Sequence, residues 1–368
     1  MKITGIAGII GCLMIFFISG VVMAARVEEV NYKGWKCLKL SNADTEVYLA
    51  PEIGGRIIQY TFQGHPFLWV NKAFEGKVFP ISENNKLENW KSYGGDKVWP
   101  APQGWDGPTQ WPGPGDEILD APFKAEILKD SGEAVQVRMT SSGKGGYSRL
   151  QFITELTLFD NSSRVYFKTT MKNVSKKEAD WGIWRVTQMD FSGPPPLTYN
   201  DQACLIIPLN PKSIWPEKFH PMFGLAESWN WQPDYEKMQM KVKYMNIVGK
   251  IGIDSYNGWA AFVDKKSGYT YVQRYETFPG MTYPDNSTFY VWVAGKGEFI
   301  HKHKFYTLAD NPDNPDGRFI EMEIVGPRIK LNPGESYSLY SSWEAVKGDL
   351  KSVPRLEAGY LAPAKLGP

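Results

Sequence analysis

Residues suited to polar chemistry and to ring stacking are densest between positions 93 and 105. Gly94 and Gly95 permit positive φ angles and a close approach of the backbone to a ligand. A carboxylate, an amine, an amide and two indoles follow them: Asp96, Lys97, Gln103, Trp99 and Trp105. The polar groups suit hydrogen bonds to hydroxyls, and indoles stack on flat, partly apolar rings such as sugars. We predict a ligand-binding loop here, and the alternative is an Ω-loop whose tryptophans pack in the core.

A second group occupies positions 181 to 188, a run rich in residues that favour β-strands. In a strand, Trp184 and Gln188 share one face, and Arg185 lies on the other. If the face with Trp184 lines a cleft, it offers a ligand an aromatic platform and an amide. If that face is turned to the core, Gln188 needs a buried hydrogen-bond partner.

Two carboxylates, Glu321 and Glu323, alternate within the apolar run 318–325. In a strand both side chains lie on the same face, and two neighbouring carboxylates tend to raise the pKa of one of them. A raised pKa suits a general acid or base. The alternative interpretation is a solvated strand face.

The elements that must position these residues are strands almost throughout. Short apolar or alternating runs recur with Gly, Pro, Asn and Asp between them, at 46–49, 56–60, 134–138, 151–156, 164–167, 259–263, 288–293 and 318–325. The best helical candidate, 234–243, could equally be a strand. Residues 82–122 and 190–233 are predicted as two long loops. We predict an all-β protein with few short helices, a large antiparallel β-sandwich over residues 25–352, followed by an extended tail over 353–368.

Composition and charge narrow the class of partner. The chain has 368 residues, with 41 Lys and Arg against 40 Asp and Glu, so the net charge of +1 gives no basis for binding nucleic acid or an anionic membrane. Aromatic residues make up 14% of the chain, which favours a ligand with flat, partly apolar faces. The sequence carries no motif for a cofactor or a metal site, and we predict neither.

The N-terminus has the pattern of a secretory signal. Lys2 precedes an apolar run that ends at the small-residue sequence Val22-Met23-Ala24. We predict a signal peptide over residues 1–24, cleaved after Ala24, and therefore an exported protein, periplasmic or secreted. An uncleaved membrane anchor is the alternative, because the run is long enough to span a bilayer.

Read in order, these motifs resemble the galactose mutarotase-like superfamily over about residues 45 to 345. Five stretches carry the resemblance: 50–57 with 67–69, Tyr93-Gly94-Gly95, Val98-Trp99-Pro100, 173–184, and 319–321 with 331–335. The resemblance implies a super-sandwich of antiparallel sheets that binds a mono- or oligosaccharide on a concave face. It also implies that Glu321 is the catalytic base.

The departures from that family concern the acid. Mutarotases protonate the sugar ring oxygen with a histidine, whereas Tyr93 and Trp184 stand where the histidines are expected. His220, His65, Asp96 and Tyr93 are alternative sources of the proton.

Two functions follow. In the first, the protein is a sugar-active enzyme, a mutarotase-like epimerase or a polysaccharide lyase or hydrolase. Its catalytic residues would be Glu321 as base and Asp96 or Glu323 as acid. Its predicted substrate contacts are Arg56, Tyr93, Lys97, Trp99, Gln103, Trp105, Trp184, Arg185 and Gln188. In the second, it is a non-catalytic glycan-binding protein whose platforms are Trp99, Trp105 and Trp184.

Overall fold

The computed structural model describes residues 24–80, 91–103, 121–144, 147–301, 304–308 and 317–354. Its described part is built from 25 strands and four short 3₁₀ turns, which confirms the predicted all-β sandwich. The turns span Pro51–Ile53, Lys72–Phe74, Pro284–Asn286 and Leu350–Ser352. Almost all of the predicted signal peptide and extended tail lies outside these residues. No helix among the described residues is long and apolar enough to cross a membrane.

The first sheet has 13 strands, all paired antiparallel. Along its main path the strands follow one another from one edge to the other in this order: β14 (His220–Phe223), β17 (Gly249–Ile253), β20 (Phe289–Val293), β23 (Phe319–Val325), β12 (Ala179–Asp190), β6 (Asp96–Ala101), β4 (Arg56–Phe62), β3 (Thr45–Ala50), β2 (Trp35–Ser41), β1 (Ala25–Tyr32) and β8 (Ser131–Gly132). Two further strands pair beside this path, β24 (Ile329–Leu331) with β12 and β5 (His65–Pro66) with β4.

The second sheet has ten antiparallel strands and packs on one face of the first. Its order is β15 (Trp231–Asp234), β16 (Gln239–Val242), β13 (Ala203–Pro208), β18 (Trp259–Asp264), β19 (Tyr269–Tyr275), β25 (Ser336–Lys347), β11 (Val165–Asn173), β10 (Leu150–Phe159), β9 (Ala134–Thr140) and β7 (Lys124–Lys129). A separate hairpin consists of β21 (Gly297–His301) and β22 (Lys304–Leu308).

The strands follow from the sequence pattern. Strand β10 alternates strictly between buried and half-buried residues, as expected where one sheet face meets the core. Between the sheets, the rings of Tyr60, Tyr271 and Trp343 lie 5.7 to 6.1 Å apart. Strand β12 is buried on both faces over most of its length, so the middle of the first sheet is covered on its outer side as well.

Several local predictions change. Part of the predicted loop 82–122 is strand β6, because residues 96–101 alternate between a face that meets the second sheet and a face that does not. The predicted loop 190–233 contains β13, β14 and most of β15. The helical candidate 234–243 is the end of β15, a turn and β16. Cys37 and Cys204 are both buried free thiols.

Candidate functional site

Three adjacent strands bring the three sequence groups together in the middle of the first sheet. Strand β12 pairs with β6 on one side and with β23 on the other. Residues directly opposite each other in an antiparallel pair project from the same face. The paired positions are Trp184 with Trp99, Val186 with Lys97 and Glu323, and Gln188 with Glu321. All of these side chains therefore lie on the face turned away from the second sheet, which we call the outer face.

Two glycines allow β6 to enter this arrangement. Gly94 and Gly95 have φ angles of 97° and 71°. A Cβ atom on Gly94 would lie 2.3 Å from the carbonyl oxygen of Trp69, and one on Gly95 would lie 2.4 Å from that of Ile57. The glycines thus permit the backbone to approach neighbouring backbone, where the sequence suggested an approach to a ligand.

Glu321 is held through one of its two oxygens. Its Oε1 accepts hydrogen bonds from Lys97 Nζ at 3.0 Å and from Gln188 Nε2 at 2.9 Å. No hydrogen bond among the described residues reaches Oε2. The residue is 9% exposed, which is more than its polar neighbours. Glu321 thereby supplies the buried partner that Gln188 requires and keeps one oxygen free to accept a further hydrogen bond.

Glu323 is fully buried beside it. Its Oε2 accepts hydrogen bonds from Trp184 Nε1 and Lys250 Nζ, both at 2.8 Å, and within the described part of the chain Oε1 has no partner. Burial raises the pKa of Glu323 to about 7, with Lys250 opposing the shift and the charge of Glu321 adding to it.

The two lysines connect the strands diagonally. Lys97 reaches Glu321 and Lys250 reaches Glu323, and each ammonium also lies over an indole, Lys97 at 4.6 Å from the Trp99 ring and Lys250 at 4.4 Å from the Trp184 ring. Burial lowers the pKa of Lys97, and Glu321 opposes the shift. We call this set the central polar cluster: Lys97, Trp184, Gln188, Lys250, Glu321 and Glu323.

Asp96 and Arg185, predicted as acid and substrate contact, lie on the opposite face of the sheet. Asp96 accepts from the Arg185 guanidinium and, at 2.7 Å, from Thr187 Oγ1. Arg185 also donates to Thr169 Oγ1 of the second sheet at 3.0 Å. Burial raises the pKa of Asp96 to about 6, with Arg185 opposing the shift. These two residues are part of the core between the sheets and are separated from Glu321 by the sheet itself.

Four other predicted contacts also lie apart from Glu321 or outside the described residues. Arg56 donates to the Gly94 carbonyl at 3.2 Å. Tyr93 packs beside Trp35 in a second aromatic cluster, and its hydroxyl accepts the backbone N–H of Phe79 at 2.9 Å. Gln103 follows the end of β6 and is half-buried. Trp105 lies outside the described residues.

The two histidines considered as replacement acids have aromatic partners. His65 stacks on Tyr269 with ring centroids 4.8 Å apart, and burial lowers its pKa. His220 stacks on Trp215 with centroids 5.4 Å apart. His220 begins the edge strand β14 and is opposite Gly252, so it shares the outer face with Glu323 from three strands away.

Sequence reasoning missed three residues of this face: Lys250, Tyr290 and Trp292. Tyr290 is opposite Glu323 and Trp292 is opposite Glu321. The alternation of Tyr290 and Trp292 within Phe289–Val293 was a usable signal, whereas nothing adjacent to Lys250 in the sequence marks its role. Among the described residues, no group of three or more His, Cys, Asp or Glu side chains could hold a metal ion.

Accessibility differs sharply between the aromatic side chains of the outer face. Trp99 and Trp184 are only 5% and 1% exposed. Tyr290 is also buried, and its hydroxyl donates to the Pro284 carbonyl at 3.0 Å, so the turn Pro284–Asn286 covers this part of the face. Trp292, next to Glu321, is half-buried. Among the described residues, the aromatic surface available to a ligand at Glu321 is therefore that of Trp292.

Solved structures share this architecture at low sequence identity. A candidate aldose 1-epimerase from Klebsiella pneumoniae is 15% identical with a TM-score of 0.54, and the match covers 92% of this chain and 85% of that one. A galactose mutarotase-like protein from Clostridium acetobutylicum is 13% identical with a TM-score of 0.50, over 88% and 99% of the two chains.

A third similar structure is a TPR-domain containing protein from Parabacteroides distasonis, 15% identical with a TM-score of 0.53. The match covers 87% of this chain but only 49% of that protein, so this chain spans about half its length. No protein-family profile and no curated protein sequence matches the chain. At these identities the likeness concerns the fold, and the chain has the galactose mutarotase-like fold.

Proposed function

We propose that the protein binds a carbohydrate on the outer face of the first sheet and isomerises it at the anomeric carbon, with Glu321 as the base. The observation that carries the proposal is the free Oε2 of Glu321, the most exposed group of the central polar cluster, beside the half-buried ring of Trp292. A carboxylate next to an aromatic platform can accept a sugar hydroxyl proton while the ring stacks.

The chemistry requires two proton transfers. Glu321 takes the proton of the anomeric hydroxyl, an acid protonates the ring oxygen, and the bond between that oxygen and the anomeric carbon breaks. Rotation and reclosure then invert the anomer, and both protons return.

The acid in this proposal is Lys97. Asp96 lies on the opposite face, and Glu323 is bonded to Trp184 and Lys250. Lys97 is buried like Glu323, but its ammonium is bonded to Glu321, which is the most exposed group of the cluster. Lys97 contacts Glu321 directly at 3.0 Å, and burial lowers its pKa, which favours proton donation by an amine.

A non-catalytic glycan-binding function is the second candidate, and one observation favours it. Trp184 stands where a mutarotase histidine is expected, and its indole N–H is already donated to Glu323. An indole N–H does not ionise in the working pH range, so it cannot replace histidine as an acid. In this case the cluster would position hydroxyl groups without turnover.

The deciding experiment is NMR of a sugar panel with wild-type protein, recording saturation transfer and anomer exchange together. The isomerase predicts faster exchange that Glu321→Gln abolishes while saturation transfer persists. Glu126→Gln is the matched control, because Glu126 is a half-buried glutamate that also accepts a hydrogen bond from a lysine, Lys124, but lies on β7, the edge strand of the second sheet. This variant should leave exchange unchanged. Saturation transfer without faster exchange would establish the binding protein. Absence of both signals across the panel would overturn the carbohydrate proposal.

We also propose that the protein is exported, on the strength of the N-terminal apolar run and the Val22-Met23-Ala24 sequence. The test is the intact mass of the protein recovered from the periplasm or medium of a bacterium that expresses the full chain. A mature chain beginning at Ala25 supports cleavage, a full-length chain in the membrane fraction supports an anchor, and full-length protein in the cytoplasm contradicts export.

A further inference from the structure

We propose that the carbohydrate site continues from Glu321 to the edge strand β14, and that its ligand is an oligosaccharide. This inference rests on the proposed function, because it extends the same site. The feature that carries it is a row of side chains at one level of four neighbouring strands, ending in aromatic rings at the sheet edge.

The row is fixed by strand register. Glu321 of β23 is opposite Trp292 of β20, Trp292 is opposite Lys250 of β17, and Lys250 is opposite Phe223 of β14. A bulge in β14 between Pro221 and Phe223 brings Phe223 into this position. All four side chains thus project from the outer face, and we call them the edge row.

The two rings of the edge row contact each other. Trp292 and Phe223 come from strands that are not neighbours, yet their ring centroids are 5.0 Å apart because the Lys250 side chain turns away to Glu323. Trp215 and His220 provide a second pair of rings at the same edge, nearly parallel at 10°. All four rings are half-buried, so each keeps an exposed part.

Along this row of paired positions, the exposed fraction of the side chains, the lysine apart, increases from β12 toward the sheet edge. Gln188 is fully buried, Glu321 is 9% exposed, and Trp292 and Phe223 are half-buried. On the other side of Glu321, Trp99 and Trp184 are buried and carry the two lysine ammoniums. Among the described residues, the accessible surface beside Glu321 therefore continues toward β14.

The length of the row decides the class of ligand. Three strand spacings separate Glu321 from Phe223, a distance of about 14 Å. That distance exceeds one pyranose ring. Partly exposed aromatic rings with few charges suit the apolar faces of successive sugar units, whereas a charged polymer would require free lysines or arginines along the row. We therefore assign the row to a neutral oligosaccharide whose terminal unit lies at Glu321.

The experiment compares affinities for glucose and xylose with those for cello-, malto- and xylo-oligosaccharides by calorimetry on the whole protein. The expected result is at least one series in which affinity rises with each added unit. Trp292→Ala and Trp215→Ala should each weaken the longest ligand of that series by about tenfold, with a smaller effect of Trp215→Ala on the monosaccharide. Trp292→Phe keeps an aromatic ring at this position and should retain most of the affinity. This variant tests the role of the ring even if Trp292→Ala disturbs folding.

Tyr235→Ala is the matched control. Tyr235 is an exposed aromatic residue in the turn between β15 and β16, and it lines a groove on the second sheet with Cys204 and Ile206. Monosaccharide binding that depends on Glu321 but does not strengthen with chain length would overturn the edge row and leave the proposed function standing. Binding of no sugar in any series would overturn both. Equal losses in Tyr235→Ala and Trp215→Ala would also overturn the edge row.

Discussion

Glu321 and Glu323 are two residues apart on one strand, yet their surroundings give them different properties. Glu321 meets Lys97 and Gln188 at one oxygen and keeps some exposure. Glu323 is buried and has one oxygen without a partner among the described residues. A buried carboxylate with incomplete hydrogen bonding favours its protonated form. Glu321 is therefore suited to accept a proton, whereas Glu323 is suited to retain one.

The raised pKa of Glu323 gives a pH-dependent stability. Its usual pKa is 4.5 and its pKa in the folded chain is about 7, so between these values the folded state binds more protons than the unfolded state. The free energy of unfolding therefore falls as pH rises through this window, by up to about 3 kcal/mol. Glu323→Gln should remove this contribution, so that wild type loses stability relative to the variant between pH 4.5 and 7.

The measurement is urea unfolding of both proteins at several pH values. The pKa of Asp96 is raised to about 6, so Asp96 also makes the free energy of unfolding fall as pH rises. Both proteins contain Asp96, and its contribution therefore cancels when their free energies of unfolding are subtracted. Removing the Glu323 charge also leaves Lys250 buried without its carboxylate, which adds a destabilisation of its own. The test is therefore how the difference in the free energy of unfolding between the two proteins changes with pH, and the absolute size of that difference is not used. Glu227→Gln, an exposed position, is the control. A difference that does not vary with pH would contradict the raised pKa.

At this scale the sequence predicted part of the site. The alternation within residues 181–188 correctly separated Arg185 from Trp184 and Gln188. It did not reveal which face meets the second sheet, because that depends on Thr169 and Gln273, which come from other strands. Lys250 was beyond prediction because it joins Glu323 across a separation of 73 residues.

Strand β6 shows how an element depends on the backbone before it. Gly95 combines a positive φ with close contact to the Ile57 carbonyl, whereas Gly64, between β4 and β5, has a φ of 78° with no atom within 4 Å of a Cβ atom. An added side chain would therefore be strained by the positive φ at both positions. Only at Gly95, of these two glycines, would its Cβ atom also clash with neighbouring backbone.

Gly64→Ala should cost about 1 kcal/mol of the free energy of unfolding, because alanine disfavours the left-handed region. Gly95→Ala should cost substantially more, since β6 must also move away from β4, and it should weaken sugar binding by displacing Lys97. Chemical denaturation and calorimetry of the two variants provide the measurement. Equal destabilisation would show that the close approach of Gly95 contributes nothing.

Elements were easier to predict than loops. Alternating runs such as 151–156 gave strands because one face meets the core. The segments 82–122 and 190–233 were assigned as loops for their Pro, Gly and Asn content, yet β6, β13 and β14 lie within them. Such strands are held by their partners in the sheet, and local composition does not carry that information.

At the scale of the molecule, a second buried ion cluster in the second sheet joins β19, β25 and the residue that precedes β11. Glu344 Oε2 lies 2.7 Å from the guanidinium groups of both Arg164 and Arg274. Both arginine side chains are almost completely buried. Glu344 is the carboxylate that the two guanidinium groups share among the described residues, and removing it takes the shared negative charge from two buried cations, which is a costly change in a core.

Glu344→Gln should therefore lower the free energy of unfolding by about 3 to 5 kcal/mol. Glu155→Gln is the matched control, because Glu155 also lies between two cations, Arg138 and Lys168, but both are more than one-third exposed. It should cost no more than about 1 kcal/mol. Urea unfolding monitored by tryptophan fluorescence measures both, and similar losses in the two variants would contradict the importance of burial.

The ion pair between Lys97 and Glu321 joins residues 224 positions apart in the chain. Trp184 and Glu323 are separated by 139 residues. During synthesis the central strands of the first sheet cannot be completed until the last third of the polypeptide has left the ribosome. Contacts this distant also require the closure of long loops before any stabilisation is gained, which slows folding. Sugar binding at Glu321 would thus report that the whole chain has folded, and a nascent chain would spend most of its synthesis without a ligand site.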